Sequence, residues 1–148
     1  MTTRHPFVDE HVTTVGASPD AVWQALTATV EAAYTSGRAV RYARLVGCDP
    51  ATASGPRPLA EGSTLPGFRV LTAEPPGALV LEGRHRFSAY TLAFRIDELT
   101  PNRCHVRAES RALFPGPSGT LYRRLVIGTS THSYLMRRML ATIRSRAE

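Results

Sequence analysis

The stretch ALVLEGRHRFSAYTLAFRIDEL, Ala78 to Leu99, decides how the rest of the chain is read. Apolar and polar residues alternate on both sides of a short central turn, as they do in strands that bury one face. At a period of two, Leu79, Leu81, Gly83, His85 and Phe87 share a side, and Tyr90, Leu92, Phe94 and Ile96 continue it on the next strand. Glu82, Arg84, Arg86, Arg95 and Asp97 fall on the other side. So short a connection predicts an antiparallel hairpin. The pattern extends in both directions. Phe68 to Ala73 lies upstream of the turn signal EPPG, and Cys104 to Phe114 runs from TPNR to PGPSG. Cys104, Val106, Ala108, Ser110 and Ala112 join the dry side, while Arg107, Glu109 and Arg111 join the wet one. The expectation is one antiparallel sheet with a dry face and a solvated face of cross-strand charge pairs.

The flanking segments supply the cover. His11 to Val15 is β-prone, and ASPDAVWQAL then starts a helix: Ser18 caps it, Pro19 fits its first position, and Asp20 complements its dipole. Val22, Trp23, Leu26 and Val30 form its apolar stripe, and Gly37 ends a helical region of one helix or two short ones. Residues 40 to 47 read as extended, with a helix as the alternative. Cys48 to Pro66, rich in Pro, Gly, Ala and Ser, reads as a long surface loop of the kind that often forms a lid. The chain then closes with one long helix from about Thr120 to Arg146, roughly 40 Å in length. Leu121, Leu125, Gly128, His132, Leu135, Met136, Met139 and Ile143 share its apolar face, bordered by Tyr122, Val126, Thr129 and Leu140. Arg123, Arg137, Arg138 and Arg144 point away. In the middle of that face GTSTHS (Gly128 to Ser133) replaces packing residues with small and polar ones. A helix covering the dry face with such an interruption leaves a gap midway along.

The totals narrow the choices. A chain of 148 residues suits a single domain, 1–148, with a real core. No run of about 18 apolar residues occurs, which speaks against stable membrane insertion, and the start MTTRHPFVDE lacks the apolar block of a secretory signal. A cytoplasmic location is the expectation. Two cysteines, Cys48 and Cys104, are too few for a disulfide framework and lack an obvious His or Asp partner in sequence for nucleophilic use. Five histidines show neither HxH nor HExxH spacing, so no metal or other cofactor is expected. All 18 basic residues are Arg, and net charge is +6. Residues 120 to 148 hold six Arg against one acid, which raises binding of a protein or polyanion through the outer helix face. No nucleic-acid motif accompanies them. The plainer reading is a solvated face; in the alternative, Ile127 and Tyr134 on that face mark a subunit contact, as in a homodimer.

On the segments VTTVGASPDAVWQAL, PGFRVLTAEPPGALVLEGRHRFSAYTLAFRIDEL and the terminal amphipathic helix, the chain resembles the START-like, or SRPBCC, superfamily from Val12 to Ile143. That group includes polyketide cyclases, the major birch-pollen allergen family and lipid-transfer START domains. The resemblance implies an α+β helix-grip fold, a curved antiparallel sheet wrapped around a long C-terminal helix, with a hydrophobic cavity between them. Members bind lipids, hormones, polyketides or aromatic compounds, and only some catalyse reactions. No catalytic motif of an enzymatic subfamily matches here, so no catalytic residue is carried over.

The expected function is therefore binding of a small hydrophobic or amphipathic ligand. Leu81, Phe87, Tyr90, Leu92, Phe94 and Val106 would wall the cavity on the sheet side, and Gly128, His132, Leu135, Met136 and Met139 on the helix side. His132 either meets the ligand or is a core histidine tied to a backbone carbonyl or a hydroxyl. His85 converges with Tyr90 and Ser110 toward a polar ligand group, or sits in water at the sheet edge. The loop Cys48 to Pro66 and the turn near Ser88 would gate access. A cyclase- or dehydratase-like reaction using His132 or His85 for proton transfer is the enzymatic alternative, though paired carboxylates are absent from the expected dry face.

Overall fold

In the computed structural model, which describes residues 5–128 and 130–148, six strands form one curved antiparallel sheet. The strands are β1 (Phe7–Val15), β2 (Thr64–Leu65), β3 (Phe68–Glu74), β4 (Ala78–His85), β5 (Ser88–Thr100) and β6 (Arg103–Leu113). Their order across the sheet is β1-β6-β5-β4-β3-β2. Between β1 and β2 come the helices α1 (Pro19–Thr35) and α2 (Gly37–Val46), and after β6 come α3 (Gly116–Val126) and α4 (Thr131–Ala147). The fold is α+β, with α1 and α4 packed against each other and α4 also lying over β1.

The period-two reading of the strands holds row by row. Leu79 pairs with Phe94 and Phe94 with Ala108; Leu81 pairs with Leu92 and Leu92 with Ser110; Gly83 pairs with Tyr90 and Tyr90 with Ala112. On the wet face Arg107 meets Asp97 at 3.1 Å and Glu10 at 3.6 Å, and Arg111 meets Glu109 at 2.6 Å. Leu79, Leu81, Phe94, Val106 and Ala108 are buried against Leu26 and Val30 of α1 and Leu140 and Ile143 of α4, which makes the core.

The first helix starts where its signals say: Ser18 Oγ accepts the Ala21 N–H at 3.3 Å and Pro19 opens the helix. Residues 40 to 47 are helical rather than extended through Val46. Ser36 ends α1 and caps α2 by accepting the Ala39 N–H at 3.2 Å, and Gly47, at φ 69°, closes it in the left-handed region. Gly37 thus begins a second helix instead of ending the helical region.

The expected single closing helix is two. The Ile127 and Gly128 N–H groups both turn back to the Arg123 carbonyl, and Ser130 sits at φ 63°. Gly and hydroxyl residues favour such a break because Gly costs backbone entropy in a helix and Ser and Thr side chains compete for backbone groups. Thr129, assigned to the border of the apolar stripe, lies outside the described residues. With the axis broken, Leu121 and Leu125 no longer share a face with Met136 and Ile143. They are 59% and 61% exposed, while Tyr122 and Val126 turn inward.

The segment from Cys48 to Pro66 is strapped down. Arg57 donates from Nη1 to the Ser54 and Pro56 carbonyls, each at 3.1 Å, and from Nη2 to the Thr64 carbonyl at 3.1 Å, and pairs with Glu31 of α1. The Gly67 N–H reaches the Pro50 carbonyl at 2.8 Å, and Leu59 is buried in the core.

Candidate functional site

Moving along the sheet from Phe94 toward the β4–β5 turn, the inward side chains change size. The row of Leu79, Phe94 and Ala108 is filled; the row of Gly83, Tyr90 and Ala112 offers one large ring between two small residues. Ser88 ends the next row opposite His85. Across from them, α1 presents Ala32 and Ala33, and α4 starts only at Thr131. The unfilled space is a cavity of about 830 Å³, within the range of small-molecule sites.

An arc of rings lines much of it. Tyr34 stands 4.4 Å from Phe68, Phe68 5.3 Å from Tyr90, Tyr90 5.6 Å from His85, and His85 4.9 Å from Tyr122, all between ring centroids. Gly83 is required beneath the arc, since a Cβ there would stand 1.9 Å from the Gly67 carbonyl oxygen and 2.8 Å from the Tyr90 ring. Tyr90 Oη donates to that same carbonyl at 2.6 Å, with Cys48 Sγ 3.9 Å away. Burial holds the Tyr34 and Tyr90 phenols well above their ordinary range, so both stay protonated, and burial also pushes the Cys48 thiol up. His85 Nδ1 accepts the Phe87 N–H at 3.0 Å, which requires that nitrogen to be unprotonated. Burial correspondingly lowers its pKa.

A second polar group lies where α4 begins. His132 Nε2 is 3.0 Å from Ser110 Oγ and 3.4 Å from Asp9 Oδ1, while Asp9 Oδ2 is near Ser133 Oγ (3.4 Å) and His11 Nε2 (3.3 Å). Asp9 faces inward in step with His11, Thr13 and Val15, and pairs opposite Ser110. Both Ser110 and Asp9 meet the same ring nitrogen. The arrangement therefore lacks the carboxylate–Nδ1, Nε2–hydroxyl order of a nucleophile relay. Among the described residues, no three His, Cys, Asp or Glu side chains gather as metal ligands.

The expected wall residues divide. Tyr90, His85, Leu92, Ser110, His132, Leu135, Met136 and Met139 line the cavity. Leu81, Phe94 and Val106 do not: they belong to the filled core one or more rows away. Phe87 lies in the turn and stacks on Tyr122, with ring centroids 5.3 Å apart, instead of facing the hollow. Gly128 lies in the exposed break between α3 and α4, where a Cβ would meet the Arg124 carbonyl oxygen at 2.6 Å. It forms none of the wall, and the gap comes from small residues on the sheet and on α1. Arg138, expected to point outward, lines the cavity along with Arg146 and Arg38. Asp9 and Tyr34 escaped the sequence reading, which placed Tyr122 only at the border of the helix stripe. Asp9 lies upstream of the strand assigned from His11, and the two tyrosines depend on how helices end.

No protein-family model matches the chain, and no curated protein matches it. Solved structures do. An aromatase/cyclase, Zhui, from Streptomyces sp. R1128 is 13% identical, with 94% of this chain and 92% of that one covered at a TM-score of 0.60. The Aha1 dimer from Colwellia psychrerythraea is 14% identical, with 94% of each chain covered at 0.56. A conserved protein from Geobacillus kaustophilus is 13% identical, with 93% of each covered at 0.53.

The chain has the helix-grip fold of these structures.

At these identities the likeness concerns the fold. Of the two closing helices, α4 crosses the filled part of the sheet, and α3 stands at the β4–β5 turn as a flap held by Tyr122 against Phe87 and His85. Among the described residues, no helix is long and apolar enough to cross a membrane.

Proposed function

We propose that this START-like chain binds a small apolar or amphipathic molecule in the hollow end of its grip. The observation that carries the reading is the cavity of about 830 Å³, walled by an aromatic arc and opening between helices. Most of the affinity would come from burying apolar surface, at about 25 cal/mol per Å². Ring faces at Phe68, Tyr90 and Tyr122 favour a flat or partly aromatic body. The Tyr90 hydroxyl retains acceptor capacity while donating to Gly67, and the Ser110–His132 pair offers a second polar anchor. The flap α3 is the element best placed to move during exchange, since only Gly119 along it is buried. The strapped loop from Cys48 to Pro66 supplies fixed wall at Cys48 and Pro66.

A titration with the neutral fluorophore N-phenyl-1-naphthylamine tests the reading. Saturable binding at one site per chain is expected, and Ala112→Trp, which projects an indole from the sheet into the hollow, should abolish it while the circular dichroism spectrum is kept. Absence of binding to the folded wild type, or equal binding by Ala112→Trp, contradicts it.

A further inference from the structure

The two ends of the cavity carry unlike rims. At the α3 end the rim is aromatic: His85, Phe114 and Tyr122. At the other, Arg138 and Arg146 of α4 face the C-terminal half of α1 across the seam between the two helices. Arg146 Nη1 approaches Thr29 Oγ1 at 3.4 Å, and Arg38 follows from the first turn of α2. Arg138, Thr142 and Arg146 recur every four residues, so they stand on one stripe of α4. Among the described residues, no Asp or Glu lines the cavity. Among the described residues, no carboxylate forms an ion pair with Arg38, Arg138 or Arg146, in contrast to Arg57, Arg84, Arg107, Arg111 and Arg144. Arg111 also touches the cavity, but its guanidinium is engaged by Glu109 and the His5 carbonyl.

Three cations without counter-charge at the mouth of an apolar hollow repel one another, and an anion at the seam relieves that repulsion. Guanidinium groups match the paired oxygens of carboxylate and phosphate alike. We infer that the guest is an amphipathic anion, its apolar body within the aromatic arc and its carboxylate or phosphate group at the α1–α4 seam between Arg38, Arg138 and Arg146. This rests on the binding reading above and specifies the class of ligand for that site.

Displacement of N-phenyl-1-naphthylamine from the full chain by dodecanoate, dodecyl phosphate and dodecanol, each below its aggregation limit, separates the possibilities. At least one anion should displace the probe at a concentration about tenfold lower than the alcohol. The advantage should shrink as salt is raised. It should vanish in Arg38→Gln/Arg138→Gln, where each competitor's potency is taken relative to that variant's own probe affinity. The anion with the larger advantage identifies the head group. Equal potency of alcohol and anions, or an advantage that survives in the double variant, overturns the anionic assignment while leaving the cavity reading intact. Failure of the probe itself to bind removes both.

Discussion

The β5–β6 hairpin contains two halves built on the same backbone with opposite results. Near Ile96 and Val106 the inward residues are large, every row is filled, and Leu140 and Ile143 of α4 close over them. Two rows along from Phe94, at Tyr90 and Ala112, the hydrogen-bonded register continues unchanged, yet the interior is open. Pairing and alternation are therefore indifferent to whether a face is packed or hollow. Side-chain volume on the sheet and the point at which the covering helix breaks decide that. The filled half supplies cohesion, and the open half holds a surface whose cost is exposure of rings that a guest would cover.

The sharpest way to break this contrast is to make one substitution in both halves. Ala108→Trp inserts an indole opposite Phe94, where Ala108 is fully buried, and should prevent stable folding or cost more than about 3 kcal/mol. Ala112→Trp, four residues further along the same face, should cost less than about 1 kcal/mol by urea denaturation. Phe94→Ala removes a fully buried ring and should lower stability by about 3–5 kcal/mol. Tyr90→Phe, in the open half, loses its bond to the Gly67 carbonyl and should cost about 1 kcal/mol while probe binding persists.

The smallest effect concerns pH. Folding holds the His85 pKa below the ordinary value, so between that value and the folded one the unfolded chain carries a proton that the native state lacks. Stability attributable to His85 is present above about pH 6.5 and is lost as pH falls below it. Replacement by Gln should flatten the decline in urea midpoint from about pH 7.5 to about pH 5.5 by about 0.5 kcal/mol or less, since the ring is only half buried. An equal decline in both proteins would assign the pH dependence elsewhere.

Much of the sheet could be read from the sequence because alternation is a local property: each assignment of Leu79, Phe94 or Val106 to the dry face needed only its neighbours. The N-terminus of α1 was equally local, written in Ser18, Pro19 and Asp20. Helix ends inside polar, small-residue stretches were not. GTSTHS carries the signal for the break, but the choice between a continuous helix with a thin middle and two helices depends on what the sheet offers α3, including Phe87 and Phe114 for Tyr122. That one choice carried Leu121, Leu125 and Gly128 to places other than those assigned to them. Asp9 was hidden for a different reason. Its inward direction continues the period of two through His11, Thr13 and Val15, but the strand read from the sequence begins at His11 and stops short of it.

The central claim is that the row of Gly83, Tyr90 and Ala112 is open and takes a guest, while the row of Leu79, Phe94 and Ala108 is not. Backbone amide chemical shifts followed by NMR during titration with N-phenyl-1-naphthylamine test it most directly. The predicted result is perturbation concentrated at Gly83, Tyr90, Ala112, His132 and Leu135, with little change at Phe94, Ala108 and Ile143. Shifts confined to the outer face of α3, or no shifts at saturating probe, would contradict it.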